Sequence, residues 1–336
     1  LADDMGLGKT AQAIGACRTR PGMKAITHRR YGTPDLLGFE DVPRPEPGPG
    51  DVLVRVRAAA IFAGDWHVVR GTPFFIRFAT GLRRPRNLVP GMDLAGVVEA
   101  VGAAVTDHQV GDEVFGFAAG SLAEFVSTPG DQVVPRPANL SLEEAAAMPE
   151  AGMTALQGLR DNWRVRSGQR VLVIGASSGV GTFAVQIARA LGAEVTGVCG
   201  PSNLELVRSI GADHVVDYTT TDVTTAGERY DVIFQVAGTA SPRRLRRILT
   251  PGGTLVLSSG MGRVAGVDRI VVAVVLSPFV RERLAVFVTK ENATGLATLA
   301  EMATDGKIRP VIDRTYPLGQ AATALSYLEA GHARGK

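Results

Sequence analysis

The sequence predicts an α/β protein in which a β-rich module is followed by a doubly wound parallel sheet. From Met23 to about Pro149, short runs alternate apolar and charged residues and are bounded by Gly, Pro or Asp, as half-buried strands are. From Val171 onward, apolar strands alternate with helical patterns, which is the order of a parallel α/β sheet. The chain has 336 residues, 45% of them hydrophobic and 21% charged, which is typical of a soluble protein of two domains.

Four strand-like runs define the β-rich module. They read DVLVRVRAAAI, GVVEAVG, DEVFGFA and AEFVSTP, and the stretch Pro43–Gly50 before the first of them predicts a surface loop from its Pro and Gly content. Ser141 followed by Glu144 has the spacing of a capping box. A short helix is therefore expected to begin there and to end by Pro149.

The second module opens with VLVIGASSGVGTFAVQIARALGAEVTGVC, residues 171–199. An apolar strand over Val171–Ile174 runs into a glycine turn, and the apolar residues beyond the turn recur at helical spacing as far as Leu191. Glu194–Val198 supplies the next strand. Further apolar strands at 214–217, 230–237 and 253–259 alternate with helices, so a doubly wound parallel sheet is expected.

The glycine turn indicates a dinucleotide site of the Rossmann type. Its register is Ala176-x-Ser178-x-x-Gly181, between a strand and a helix, where the backbone can approach a pyrophosphate. Ala and Ser replace two of the usual glycines, and a merely structural turn is the alternative. The Ser178 hydroxyl could still donate to a phosphate.

The end of the second strand favours NADP(H) over NAD(H). Cys199 stands where an NAD enzyme places a carboxylate for the ribose hydroxyls. The small groups that follow would leave space for a 2′-phosphate, and they are Gly200, Ser202 and Asn203. Residues 190–207 hold no Arg or Lys to pair with that phosphate, so NAD(H) stays the alternative.

Charge and composition argue against nucleic-acid binding. The net charge of +3 is spread along the chain, and the basic cluster Arg243–Arg247 in SPRRLRRIL has leucines at spacings that predict an amphipathic helix with a solvated face. We expect no nucleic-acid partner.

Cysteine content and hydropathy indicate a cytoplasmic protein. Cys17 and Cys199, the two cysteines of the chain, can form neither a disulfide framework nor a cysteine zinc site. The longest wholly apolar run, Ile270–Leu276, is far shorter than the roughly 20 residues of a membrane helix. We therefore expect no membrane partner.

The opening LADDMGLGKT, Leu1–Thr10, resembles the first motif of Swi/Snf-like helicase translocases. Its glycine turn, Lys9 and Thr10 could hold a triphosphate and magnesium. However, Asp3 replaces the first glycine of the general motif, and neither a downstream acidic strand nor a second motor lobe is recognisable. Leu1–Gly22 is interpreted as a vestigial or fused segment.

From Met23 to Lys336 the chain resembles the medium-chain dehydrogenase/reductase superfamily, within its zinc-free quinone oxidoreductase and enoyl-reductase-like branch. The motifs that carry the resemblance are MKAI…YG, GDWHVVRG, PGMDLAGVVEAVG, GDEVFG, AGMTALQGL, IGASSGVGTFAVQIARALGA, GADHVVDY and the Gly-Gly of TPGGTLV. The resemblance implies a GroES-like substrate domain, residues 23–149 with 291–336, and a Rossmann NADP-binding domain, residues 150–290. It also implies that GHARGK ends just before a closing strand.

The resemblance implies a metal-free reaction. Zinc-dependent members of the superfamily hold the catalytic metal at positions that match Phe62, Met92 and roughly Glu150, and two of these three side chains cannot ligate zinc. Direct hydride transfer to a quinone, or to an activated alkene or carbonyl, needs no metal. The expected substrate is a small apolar conjugated carbonyl compound or quinone.

The resemblance also implies the site residues. Candidate pocket residues are Phe62, Asp65, Trp66 and Phe117, although each aromatic ring is more readily interpreted as core, and relatives usually carry Asn at the Phe62 position. His67 is interpreted as a surface or hydrogen-bonding residue. The catalytic residue itself is not identified. The expected cofactor contacts are Thr154, Ala176, Ser177, Ser178, Gly179, Val180, Gly181, Gly200, Ser202, Asn203, Tyr218, Ser259 and Gly260.

Two further functions remain open at this point, and so does the oligomeric state. A dinucleotide-binding protein with little turnover, serving as a redox sensor or structural partner, is the first alternative, and an ATP-dependent translocase fragment is the second. By resemblance, a homodimer would form through Leu284–Lys290.

Overall fold

The computed structural model describes residues 22–258, 281–331 and 333–336. The predictions for residues 1–21, for the apolar run 270–276 and for the cofactor contacts Ser259 and Gly260 lie outside the described residues. Within the described part, no helix has the length and apolar character needed to span a bilayer.

The β-rich module is built on a five-stranded antiparallel sheet beside a two-stranded ribbon. The ribbon pairs β1 (Gly22–Thr27) with β2 (Gly38–Pro43). The larger sheet has the order β6-β3-β4-β5-β7 and comprises β3 (Asp51–Ala60), β4 (Asp93–Val101), β5 (Glu113–Phe117), β6 (Phe125–Pro129) and β7 (Val133–Pro135). This sheet confirms the predicted β-rich first module.

The second sheet has six strands, and all of its pairs are parallel. Its order is β10-β9-β8-β11-β12-β13, so the chain winds outward in both directions from β8. The strands are β8 (Arg170–Ile174), β9 (Glu194–Cys199), β10 (His214–Asp217), β11 (Tyr230–Gln235), β12 (Leu249–Leu257) and β13 (Arg283–Val286). The predicted doubly wound parallel sheet is therefore confirmed.

Helices flank the two sheets. They are α1 (Ala63–Arg70), α2 (Ile76–Thr80), α3 (Leu142–Ala146), α4 (Pro149–Leu156), α5 (Gly179–Ala190), α6 (Leu204–Ser209), α7 (Pro242–Arg246), α8 (Ala293–Thr304) and α9 (Ala321–Glu329). A side-chain N-cap precedes four of those described, namely α3, α5, α7 and α8. The capping box before α3 is confirmed, because the Ser141 hydroxyl accepts from Glu144 N–H at 3.1 Å and Ser141 N–H donates to the Glu144 carboxylate at 2.9 Å.

One hydrophobic cluster joins the two modules. Phe115 and Phe117 of β5 belong to the same cluster as Met148, before α4, and Phe183 of α5, and each of these side chains is at most 1% exposed. Helix α4 is buried along most of its length and packs on α5. The first turn of α4 and the N-terminus of α5 are therefore held in fixed positions beside the β-rich module.

Candidate active site

The glycine turn between β8 and α5 has the geometry that the sequence predicts. Gly175 has a φ of +87°, which L-residues with side chains rarely adopt. A Cβ at Gly181 would lie 2.0 Å from the Gly175 carbonyl oxygen, so the helix can pack this closely on the turn only with glycine there. The turn thus brings the N-terminus of α5 to the end of β8, where helix N–H groups can receive a pyrophosphate.

Ser178 has a different role from the one expected. Its hydroxyl donates to the Gly175 carbonyl oxygen at 2.8 Å and accepts from Gly181 N–H at 3.1 Å, so it is the N-cap of α5. The hydroxyl proton is already used within the turn. Phosphate binding would therefore depend on backbone N–H groups rather than on a Ser178 donor.

The end of β9 presents no carboxylate to a ribose. Cys199 is 2% exposed, and burial raises the pKa of its thiol to about 11, so the thiol is neutral at physiological pH. The Asn203 amide donates to the Ser177 hydroxyl at 3.2 Å, and its buried Oδ1 has no partner among the described residues. An unpaired buried acceptor beside the turn suits a ligand that brings a donor, such as a ribose hydroxyl.

The remaining predicted cofactor contacts lie either near the glycine turn and the end of β9 or, for Thr154, on α4. Ala176 is buried behind the turn, Val180 lies in the first turn of α5, and Ser202 is in a short exposed turn after β9. Tyr218 is 65% exposed and lies near Gly200, where an added Cβ would be 3.5 Å from its ring. Thr154 precedes all of these residues in the sequence and lies on α4.

The first turn of α4 contributes to a buried cluster of ionisable groups, which we call the carboxylate–lysine cluster and define as Asp65, Asp93, Glu150 and Lys336. The Asp93 carboxylate accepts from Lys336 Nζ at 3.2 Å and from Glu150 N–H at 3.2 Å. Asp65 accepts from Phe62 N–H at 3.0 Å. The side chains of Asp93 and Lys336 are 0% and 5% exposed, so this pair is removed from water.

Burial sets the protonation of the cluster. Burial, together with the nearby charge of Asp93, raises the pKa of Asp65 to about 8 and that of Glu150 to about 7. The pKa of Asp93 is also raised by burial, while the Lys336 ammonium opposes that rise. At neutral pH, Asp65 therefore carries its proton and Glu150 is close to half protonated.

A hydroxyl pair connects this cluster to the parallel sheet. The Thr154 hydroxyl donates to the Glu150 carboxylate at 3.4 Å and lies 2.7 Å from the Thr289 hydroxyl. Gln157 exchanges two hydrogen bonds with the backbone of Lys290, at 2.7 and 3.0 Å, which fixes the segment after β13 against α4. The two threonines therefore keep a defined geometry.

The C-terminal residues bring the cluster to the glycine turn. Gly335 N–H donates to the Ser177 carbonyl oxygen at 2.8 Å, and a Cβ at Gly179 would lie 3.2 Å from the Lys336 side chain. Lys336 Nζ is also 5.3 Å from the centre of the Phe62 ring. Lys336 thus extends from the predicted pyrophosphate turn to the buried carboxylates.

The structure separates the predicted pocket residues. Phe62 and Asp65 lie at the start of α1, where Asp65 is part of the carboxylate–lysine cluster. Trp66 is partly buried, and the Arg70 guanidinium lies 5.7 Å from its ring centre. Phe117 is 1% exposed within the shared core, so it is a packing residue and offers no surface to a substrate. The interpretation of His67 as a hydrogen-bonding residue is supported by its 2.8 Å contact with the Thr72 carbonyl oxygen.

Sequence reasoning did not identify Asp93, Lys336 or Thr289 as part of a site. Asp93 begins a strand, and five apolar residues follow it. This pattern could have indicated a site, because a carboxylate that is fully buried requires a partner. Lys336 and Thr289 carry no comparable signal, since only the fold brings them to α4.

Comparison with known proteins agrees with this architecture. Residues 48–138 match the family described as the alcohol dehydrogenase GroES-like domain, and residues 210–336 match the family described as zinc-binding dehydrogenase. The solved quinone oxidoreductase from Coxiella burnetii superposes with a TM-score of 0.83 at 28% identity, covering 94% of this chain and 98% of that one.

Two relatives are similar over nearly the whole chain. The chloroplast envelope quinone oxidoreductase homolog of Arabidopsis thaliana is 32% identical over 340 residues, which covers 94% of this chain and 97% of the relative. The chloroplastic NADPH-dependent alkenal/one oxidoreductase of Arabidopsis thaliana is 32% identical over 329 residues, with coverages of 94% and 78%. The chain therefore belongs to the medium-chain dehydrogenase/reductase superfamily, in its quinone oxidoreductase and enoyl-reductase-like branch, and is an NAD(P)H-dependent oxidoreductase.

Proposed function

We propose that this chain is an NADPH-dependent reductase that transfers hydride directly to a quinone or an activated alkene or carbonyl compound, without zinc. The observation that carries the proposal is the contact of Lys336 with both the glycine turn and the buried carboxylates. It places a dinucleotide turn and a set of ionisable groups side by side. The names of the relatives, which specify quinones and alkenals, support the choice of substrate class.

The preference for NADPH rests on the end of β9. The buried, neutral Cys199 replaces the carboxylate that would repel a 2′-phosphate. Asp217 is level with Cys199 on the neighbouring strand β10, but its carboxylate accepts from Thr219 N–H at 2.9 Å and from the Thr219 hydroxyl at 2.8 Å. The name of one relative, the NADPH-dependent alkenal/one oxidoreductase of Arabidopsis thaliana, is consistent with this preference.

The residues at the position of the family's catalytic zinc do not suit zinc. Phe62 and Met92 provide no ligand of the kinds that hold zinc in proteins. The nearby Asp93 carboxylate is bound by the Lys336 ammonium, whose charge would repel a dication. The chemistry of these side chains therefore argues for a reaction in which no metal ion acts as a Lewis acid.

The side chains of the site supply positioning and a proton. When bound, NADPH supplies the hydride. The Phe62 ring and the carboxylate–lysine cluster next to it would exclude water from one side of the site, since the side chains of Asp93 and Lys336 are almost fully buried. Glu150 has a pKa of about 7 and lies 3.4 Å from the Thr154 hydroxyl, which donates to it when it is ionised. When Glu150 is protonated, this hydrogen bond can reverse, so that Glu150 passes its proton to the Thr154 oxygen while that hydroxyl gives its own proton to the product anion. A proton-donating role for Glu150 thus fits both its geometry and its pKa.

Cellular location and assembly are part of the same proposal. We propose a cytoplasmic protein, as the cysteine content suggests, and a homodimer formed through β13. In the described residues, β13 pairs with β12 alone, so its outer edge is open to a second copy. Sedimentation of a single monomeric species at every concentration would contradict the dimer.

The test combines binding and turnover. Purified protein is titrated with NADPH, NADH and ATP, and NADPH oxidation is then followed with a quinone and an enone, with and without a strong chelator. We expect NADPH to bind more tightly than NADH and to be consumed at the same rate with chelator. Chelator-sensitive turnover would contradict the zinc-free reaction. Tight binding without turnover on any acceptor would instead support the low-turnover alternative, and binding of ATP alone would contradict the whole assignment.

A further inference from the structure

The segment Thr72–Leu88, which includes α2, exposes an unusual amount of apolar surface. Five of the nine large exposed hydrophobic residues in the described part of the chain lie in it, with exposures between 37% and 66%, and they are Phe74, Phe75, Phe78, Leu82 and Leu88. Helix α2 has no buried residue. We call this segment the aromatic–arginine surface.

The same segment is strongly basic. Residues 66–92 contain five arginines and no Asp or Glu. Arg83, Arg84 and Arg86 are exposed and form no ion pair with any described carboxylate, whereas Arg29, for example, pairs with Glu40. They line an open hollow of about 560 Å³ beside α2.

The segment is held firmly, so its exposed rings belong to a folded platform. The Tyr31 hydroxyl donates to the Gly81 carbonyl oxygen at 2.6 Å, and Arg77 Nε donates to that of Gly71 at 2.9 Å. Arg86 N–H donates to the Thr80 carbonyl oxygen at 2.7 Å, which folds the arginine loop back onto α2. One folded segment therefore carries both the exposed phenyl rings and the guanidinium groups that have no ion-pair partner among the described residues.

We propose that the aromatic–arginine surface docks the protein on anionic lipid membranes. Phenyl rings partition into the boundary between headgroups and acyl chains, and guanidinium groups bind lipid phosphates in a bidentate manner. A basic surface without acids is attracted by an anionic leaflet and is repelled by a second copy of itself, which argues against self-association here. This attachment is peripheral, so it differs from the expectation of no membrane partner, which considered only spanning helices.

The experiment measures binding of the full chain to lipid vesicles by flotation. The probes are vesicles of phosphatidylcholine alone and vesicles that also contain roughly 30% phosphatidylglycerol. We expect binding to the anionic vesicles only, and binding that weakens as salt rises. The double variant Arg83→Gln/Arg84→Gln should bind about 30-fold more weakly. The double variant Phe75→Ser/Phe78→Ser should lose at least about tenfold.

Matched controls test whether vesicle binding depends on this surface in particular or only on the total charge and exposed apolar area of the protein. Arg243→Gln/Arg247→Gln removes two exposed arginines from the other basic cluster, and Val110→Ser removes a side chain that is 63% exposed. Both should bind as the parent does. A thermal melt of every variant shows that it is folded.

Three results would overturn the proposal. The first is no binding to anionic vesicles at low salt, and the second is equal binding by the parent and both test variants. The third is unchanged vesicle binding by the test variants together with an altered KM for a water-soluble enone or an altered sedimentation coefficient. A change in KM would assign the surface to the entrance of the active site, and a change in sedimentation would assign it to contact with a second copy. The outcome is independent of reductase activity.

Discussion

At the scale of single residues, the site depends on carboxyl groups that burial keeps protonated. Asp65 is 3% exposed and accepts Phe62 N–H, while the Asp93 carboxylate nearby is paired with Lys336. The resemblance to a known family suggested Phe62 and Asp65 as candidate pocket residues, and the structure has both at the start of α1. The sequence could not predict the role of Lys336, which lies 243 residues from Asp93 along the chain, because only tertiary folding creates their contact.

Replacing Asp65 by Asn should change how stability depends on pH. The folded pKa is about 8 and the ordinary value is 3.8, so between these values the unfolded state loses a proton that the native state keeps. The free energy of unfolding of the parent should therefore fall as pH rises, by up to about 1.4 kcal/mol per pH unit. The variant keeps the hydrogen bond to Phe62 and should show a flatter profile in chemical denaturation.

Asp131→Asn, at an exposed position, is the matched control and should follow the parent. If the Asp65 variant loses stability with pH as steeply as the parent does, Asp65 is not the buried acid described above.

Replacing Glu150 by Gln should remove a proton donor. With a pKa of about 7, Glu150 is protonated below neutrality, so kcat of the parent for an enone should fall as pH rises through 7. The variant should lose this dependence and turn over about 100-fold more slowly. Initial rates of NADPH oxidation between acid and alkaline pH measure both effects. The control is Glu143→Gln at an exposed position. If kcat of the Glu150 variant still falls as pH rises through 7, Glu150 is not the proton donor.

At the scale of secondary-structure elements, the turn between β8 and α5 was the most predictable part of the molecule. Strand, turn and helix were all evident from periodicity and glycine spacing, because these are local properties. Donation from Ser178 to a phosphate stays a prediction. The Ser178 hydroxyl forms the helix N-cap, which competes with a phosphate for the same proton.

Replacing Gly181 by Ala should damage this element specifically. The added Cβ would lie 2.0 Å from the Gly175 carbonyl oxygen, so the turn must move away from its present position. We expect NADPH affinity to fall on the order of 100-fold, because displacement of a binding group by about 1 Å has effects of that size. Equilibrium titration measures it, and circular dichroism verifies that the sheet is retained.

Gly50→Ala is the control for this substitution, because an added Cβ there meets nothing within 4 Å. Unchanged NADPH affinity in the Gly181 variant would show that the turn does not hold the dinucleotide.

At the scale of the whole molecule, function follows from the way two sheets share one core. The fold class was predictable, because alternating short strands and a regular strand–helix order determine each layer separately. The division of the chain near residues 149 and 290 stays a prediction. What the sequence could not reveal is the junction, where α4 and the C-terminal residues bring a cluster of buried charges against the glycine turn.

The most direct test of the central claim follows the fate of the hydride. NADPH dideuterated at the reactive carbon of the nicotinamide is reacted with an enone in ordinary water, and the product is examined by mass spectrometry and NMR. The account predicts one deuterium on the β-carbon of the product and a solvent-derived proton on the α-carbon. Consumption of NADPH with no deuterium in the product would contradict direct hydride transfer.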